Sequence, residues 1–216
     1  MKLIIGSKNY SSWSLRGWLA AKASGLAFEE ICIPLRQPDT KERILVHSPS
    51  GKVPCLIEDG LVIWDSLAIA EYLAEVVPSL WPHDAGARAH ARSVSAEMHS
   101  SFQALRGEMP MNVRGRFPGQ GRTPEVLADI ARIEAIWNDC RSHYGTGGER
   151  YLFGAYSIAD MMYAPVCLRF ETYGVKLSGQ AEEYLQTMLV HPDLLEWKAA
   201  AMTEEQVIAD YEPRKS

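Results

Sequence analysis

Residues 51–73 read Gly-Lys-Val-Pro-Cys-Leu-Ile-Glu-Asp-Gly-Leu-Val-Ile-Trp-Asp-Ser-Leu-Ala-Ile-Ala-Glu-Tyr-Leu. Two apolar runs, Val53 to Glu58 and Leu61 to Ile63, flank Asp59-Gly60, a dipeptide that takes the positive φ angles of a tight hairpin turn at little cost. Ser66 then offers an N-cap oxygen to a helix with Leu67, Ala70, Leu73 and Val77 on its inner face, and Pro78 stops it. A hairpin followed by an amphipathic helix therefore closes the first eighty residues.

Upstream, Leu3 to Ile5 is a short apolar run fit for a strand. Trp13, Leu15, Trp18, Leu19 and Ala23 recur at helical spacing, with Gly25 placed for a left-handed C-cap. Ile31, Ile33 and Leu35 alternate as a second strand, and residues 39–46 form a short polar helix or an irregular turn. The resulting order, β-α-β-α-β-β-α, predicts a small mixed sheet with helices packed on it. Downstream of Pro82 the pattern changes. Ala91, Val94, Met98 and Leu105 form one apolar stripe, and Val126, Ile130, Ile133, Trp137 and Cys140 form another. Further helices are predicted at 157–173, 178–189 and 192–201. The Ser79 to Asp84 stretch is the expected boundary between an α/β domain, 1–78, and an all-α domain, 84–216. The stretches Gly115–Pro124 and Gly145–Gly148 read as exposed connections.

Composition narrows the function. Hydrophobic residues make up 47% and charged residues 23%, the balance of a globular protein. A net charge of −5 with scattered Lys and Arg excludes a nucleic-acid footprint. The apolar start is too short for a signal peptide and no membrane-length run follows, so a cytoplasmic protein is expected. Cys32, Cys55, Cys140 and Cys167 form no Cys-x-x-Cys pair and no His stands at ligand spacing from them. The expectation is four small buried residues, without a metal or a dithiol centre.

Three places carry candidate chemistry, each with a plainer reading beside it. A cis Val53-Pro54 bond would leave the amide and carbonyl of Val53 free to pair with a peptide, whereas a trans proline would merely open a strand. Asp65-Ser66 at a helix start suits an amino-acid terminus, with the helix amides facing a carboxylate and Asp65 facing an ammonium; alternatively the pair only caps the helix. In Tyr10-Ser11-Ser12-Trp13-Ser14, a hydroxyl donates to an anion or serves as a cap. Ser157-x-x-Asp160 is a capping box with a structural role.

Taken together, Ser11-Ser12-Trp13-Ser14-Leu15-Arg16, Gly51-Lys52-Val53-Pro54-Cys55-Leu56 and Asp65-Ser66-Leu67-Ala68-Ile69-Ala70-Glu71-Tyr72-Leu73 resemble the thioredoxin-like domain of cytosolic glutathione transferases. Tyr151-Leu152-Phe153-Gly154 with Ser157-Ile158-Ala159-Asp160 resembles the all-helical second domain of that family, and the resemblance spans residues 1 to about 200. It implies glutathione as co-substrate, a small electrophile bound between the domains, a homodimer, and no metal. The serine-rich start is most similar to the zeta-like branch. Carried over, the hydroxyl that supports the sulfur is Ser11, the first serine, or Ser12, four residues before Arg16. A thiol with pKa near ~8.5 is mostly protonated at neutral pH, and a donor to sulfur favours the thiolate. The resemblance further implies that Val53 pairs with the cysteinyl backbone, Pro54 is cis, Asp65 and Ser66 hold the γ-glutamyl end, and Lys52 meets the glycine carboxylate. Arg106, Met109, Pro110, Met111, Asn112 and Arg114 fall near the electrophile pocket, where the arginines either bind an acidic co-substrate or are solvated or interdomain charges. Trp13 stands where zeta-like enzymes carry cysteine, which argues against disulfide exchange and against a maleylacetoacetate isomerase specificity. The competing expectations are a non-catalytic binding protein on the same fold and a glutathione-dependent peroxidase or isomerase.

Overall fold

The computed structural model describes residues 1–145, 148 and 150–212. Strands β1 (Lys2–Gly6), β2 (Glu29–Ile33), β3 (Cys55–Glu58) and β4 (Leu61–Ile63) form one sheet in the order β2-β1-β3-β4. β1 is parallel to β2 and antiparallel to β3. β3 and β4 close the hairpin with Leu56 opposite Ile63, and Asp59 and Gly60 take φ of 47° and 84°.

Side chains alternate across a strand, so a central strand covered on both faces is apolar throughout. Leu3 and Ile5 turn towards α1 (Ser12–Ala23) and α3 (Ser66–Val76), in the main core. Ile4 turns the other way and joins Ile33, Ile44 and Cys55 beside α2 (Thr40–Leu45), the short helix of the 39–46 segment. β2 is an edge strand, and its alternation leaves Cys32 exposed, so the expectation of four buried cysteines fails at that one position.

The second part of the chain is helical: α4 (Ala85–Ser100), α5 (Gln103–Glu108), α6 (Pro124–Tyr144), α7 (Ile158–Tyr173), α8 (Gly179–Leu189) and α9 (Pro192–Met202). The last three match the predicted helices to within one residue. The stripe drawn from Ala91 to Leu105 is broken: Phe102, 5% exposed, takes a left-handed φ of 62° between α4 and α5. The Gly145–Gly148 connection falls partly outside the described residues. The architecture is a thioredoxin-like α/β part joined to an all-α part, and none of the described helices is long and apolar enough to cross a membrane.

The two parts share one buried cluster that includes Leu3, Leu15 and Ile69 as well as Val94, Trp137 and Trp197. α1 packs on α3 at one side and on α7 at the other. At the start of α7 the fully buried Asp160 accepts from the amides of Leu152 (3.0 Å) and Ser157 (2.9 Å) and from the Ser157 hydroxyl (3.1 Å). Burial nevertheless pushes its carboxyl up to about 6.

Candidate active site

The turn between β1 and α1 is closed by the Ser7 carbonyl, which accepts from the amides of Tyr10 (3.1 Å) and Ser11 (2.8 Å). Ser11 is the N-cap of α1. Its oxygen accepts from the Ser14 amide and its proton goes to Ser14 Oγ at 2.8 Å, which in turn accepts from the Gly6 amide. The Ser11 hydroxyl is therefore buried and committed inwards. Ser12, half-buried at the first helical position, accepts from Arg169 Nη2 at 3.4 Å, and its own proton meets no acceptor among the described residues.

A cavity of ≈ 410 Å³ opens beside this helix start, between the α/β part and helices α4 and α5. Lys52, Val53, Pro54, Asp65 and Ser66 all line it. The Val53-Pro54 bond is cis, as is Trp64-Asp65. The strand begins only at Cys55, and among the described residues nothing pairs with the amide or carbonyl of Val53. α1 passes so close to Pro54 that a Cβ on Gly17 would lie 3.0 Å from the proline ring.

Asp65, not Ser66, is the N-cap of α3: its extended backbone lets Oδ1 accept from Leu67 (3.0 Å) and Ala68 (3.4 Å). Ser66 moves to the first helical turn, fully buried, with a hydroxyl that has no partner among the described residues. The Ser66 amide, an orphan hydroxyl and a carboxylate at one helix N-terminus, with the positive end of the helix dipole, suit a zwitterionic amino-acid group.

The helical part adds His99, Gln103 and Arg106, and α1 adds Trp13. His99 Nε2 lies 2.9 Å from Asp65 Oδ2, and the His99 ring stands edge-on to Trp13. Trp13 in turn lies between the guanidiniums of Arg16, at 4.5 Å, and Arg106, at 4.7 Å.

Positive charge accumulates here. Arg16 is 2% exposed; its Nε donates to the Met162 carbonyl while both Nη atoms have no partner among the described residues. Arg169 spends its donors on the Met109 and Pro165 carbonyls and Ser12. Arg106 donates to the Met98 and His99 carbonyls, leaving Nε buried and unpaired. Burial, then Arg169 and Arg106, pull the Arg16 pKa well down; burial, then Arg106, brings Arg169 down to about 10; burial lowers Arg106. None of the three pairs with a carboxylate among the described residues. Carbonyl acceptors solvate these cations without neutralising them, so an entering anion gains a strong field.

The geometry thus gathers the five expected binding residues around one cavity, while Ser11 and Ser12 lie next to it on α1 and do not line it. Of the arginines read near the electrophile pocket, Arg106 faces the cavity, whereas Arg114 is a tie that donates to the Glu204 and Gln206 carbonyls. His99 and Gln103 were missed, because helical periodicity does not reveal which turn of α4 or α5 meets the first part. Elsewhere, His90, Asp139 and Cys140 bring donor atoms within 4.8 Å of one another, a cluster that sequence spacing could not show. Burial pushes the Cys140 thiol up to about 12.

Comparison with known proteins identifies the family and the fold. The family model described as glutathione S-transferase, N-terminal domain, matches residues 10–76. A probable maleylacetoacetate isomerase from Caenorhabditis elegans is 30% identical over 173 residues, covering 77% of each chain. The maleylacetoacetate isomerase of Rattus norvegicus is 30% identical over 176 residues, covering 77% of this chain and 76% of its own. A glutathione transferase homologue from Burkholderia, solved with bound glutathione, superposes with a TM-score of 0.71 at 22% identity, covering 94% of this chain and 98% of the other. A bacterial zeta-class maleyl pyruvate isomerase does so with a TM-score of 0.67 at 20% identity, covering 95% and 100%. The chain belongs to the glutathione S-transferase family of enzymes. Its similarity to maleylacetoacetate isomerases holds although Trp13 occupies the position where the zeta-like motif has cysteine.

Proposed function

We propose that this enzyme binds glutathione in the Val53–Asp65 cavity, supports its thiolate with the Ser12 hydroxyl, and acts on an electrophile that carries a carboxylate. The observation that carries this reading is the set of three arginines around Trp13 and Ser12, Arg16 and Arg169 buried and Arg106 half-buried at the cavity wall, none of them in an ion pair with a carboxylate among the described residues. Relatives named for maleyl substrates, which are anionic, support the same class.

In this scheme Val53 pairs with the cysteinyl backbone, Asp65 and Ser66 hold the γ-glutamyl terminus, and Lys52 meets the glycine carboxylate. Ser12 is preferred to Ser11 because its proton is free, and Arg169, donating to the Ser12 oxygen, polarises the hydroxyl as a donor. No proton leaves the serine; its hydrogen bond and the α1 amides favour the thiolate. With a maleyl substrate the thiolate adds to the cis double bond, and the electron pair moves towards the carbonyl held by the arginines. Rotation about the resulting single bond and expulsion of the thiolate leave the trans isomer and regenerate glutathione. With other electrophiles the carbon–sulfur bond is retained and the product is a conjugate.

The test is calorimetric glutathione binding to the wild type, Ser11→Ala and Ser12→Ala, with turnover of maleylacetoacetate compared with a neutral aryl halide. Binding to all three, loss of turnover in Ser12→Ala, and preference for the acid support the reading. No binding at millimolar glutathione would overturn it in favour of a partner-binding protein.

A further inference from the structure

Resting on the thiol activation proposed above, we infer that Glu204, just beyond α9, is a positioning residue that holds the serine turn in its working shape. The turn of residues 7–10 sets where Ser11 and Ser12 stand, and its polar groups are satisfied by distant segments. The Glu204 carboxylate accepts from two successive amides, Lys8 at 2.6 Å through Oε1 and Asn9 at 2.9 Å through Oε2. Successive amides that point the same way form an anion-binding nest, and here the chain fills it with its own carboxylate. The Lys8 carbonyl accepts from Trp197 Nε1 at 2.9 Å, and the Asn9 carbonyl accepts from the Val113 amide at 3.2 Å. The Asn9 side chain donates to Asn112 Oδ1 and accepts from the Arg114 amide.

The same C-terminal segment is fastened on either side of Glu204. Arg114 binds the Glu204 and Gln206 carbonyls, Ser7 Oγ donates to Gln206 Oε1 at 2.5 Å, and the Tyr10 hydroxyl donates to Glu212 at 2.9 Å. The Lys8 ammonium turns away to Glu30, so Glu204 engages the backbone rather than that charge. The consequence for chemistry runs through one short path: the Tyr10 carbonyl accepts from the Ser12 amide at 3.1 Å, so a shift of residues 8–10 displaces Ser12. The residues proposed to bind glutathione sit on the other loops, Lys52 to Pro54 and Asp65 to Ser66, and none of them hydrogen-bonds to this turn among the described residues. Glu204 therefore acts on the sulfur's activation and not on its capture.

The experiment uses the full chain with Glu204→Ala, Glu204→Gln, and the exposed neighbour Glu205→Ala as control. Calorimetric glutathione affinity, the bound-thiol pKa from thiolate absorbance, kcat, KM and the melting temperature are measured for each. In Glu204→Ala glutathione affinity stays within about threefold, the bound-thiol pKa rises by about one unit, and kcat falls roughly ten- to a hundredfold, the range for losing a supporting contact behind an active group. Glu204→Gln keeps one acceptor oxygen and falls between, while Glu205→Ala matches the wild type. An unchanged thiol pKa and kcat in Glu204→Ala overturns the inference, as does parallel loss of affinity, kcat and melting temperature in both Glu204 variants, which marks a merely structural tie. If the wild type binds no glutathione, the underlying reading falls first, and that result is read without any variant.

Discussion

The Asp65 carboxylate reaches two helices at once: Oδ1 caps α3, while Oδ2 lies 2.9 Å from Nε2 of His99 on α4. The two halves of the chain thus meet at the group proposed to hold the ligand's ammonium. A pair this exposed, with side chains 26% and 53% accessible, contributes little to stability, about 0.5 kcal/mol. Its effect is orientation. His99→Ala is expected to raise the KM for glutathione about three- to tenfold, with kcat within twofold and the melting temperature almost unchanged. Initial-rate kinetics at varied glutathione check this, and an unaltered KM would remove His99 from the site.

The two serines separate by experiment. Ser11→Ala removes a helix cap and the partner of Ser14, costing about 1 kcal/mol of stability in urea unfolding while leaving the bound-thiol pKa near its wild-type value. Ser12→Ala leaves stability within about 0.5 kcal/mol but raises the thiol pKa and lowers kcat roughly a hundredfold, the scale for losing a donor to a developing anion. The opposite pattern would transfer the role to Ser11.

The arginine cluster predicts a charge-selective defect. Arg106→Met keeps much of the packing on Trp13 and removes one cation from the cavity wall. For a carboxylate-bearing electrophile kcat/KM falls about ten- to a hundredfold, as for one charge-assisted hydrogen bond, whereas for a neutral electrophile it changes less than about threefold. Equal losses on both substrates would show that Arg106 shapes the cavity without reading charge.

Asp160 gives a pH signature unrelated to catalysis. Its folded carboxyl is raised to about 6, above the unfolded value near ~3.9, so the native state holds the proton more tightly. That contribution is full below about pH 4 and is lost as pH rises through about 6. The stability of the wild type relative to Asp160→Asn, from urea unfolding at several pH values, should therefore increase as pH is lowered from about 7 to about 5. Asp160→Ala strands the Leu152 and Ser157 amides and costs about 2–4 kcal/mol at any of these values.

Much of this was readable before any coordinates, and the reasons lie in particular residues. Asp59-Gly60 leaves the chain few alternatives to a hairpin, and Ile4 and Ile5, pointing to opposite faces, are both apolar because β1 is covered on both sides. The α3 cap was misread by one residue because Asp65 and Ser66 are adjacent and both good caps; only the backbone at Asp65 decides between them. The break at Phe102 carries neither Gly nor Pro, so no local signal marks it. His99 reaches Asp65, and Glu204 reaches Lys8, through the packing of whole helices, over separations that no periodicity registers.

The single buried cluster that runs from Leu3 to Ala201 bears on how the molecule comes apart. α1 supplies Leu15 and Leu19 to that cluster and inserts Arg16 against α7, so each half finishes the other's interior. Heat or denaturant should then melt both halves in one cooperative step, with a calorimetric enthalpy equal to the van't Hoff value, instead of peeling the helices from the sheet. A chain cut in the stretch between α3 and α4 would leave two fragments that fold only on meeting, a property suited to split-protein reassembly assays.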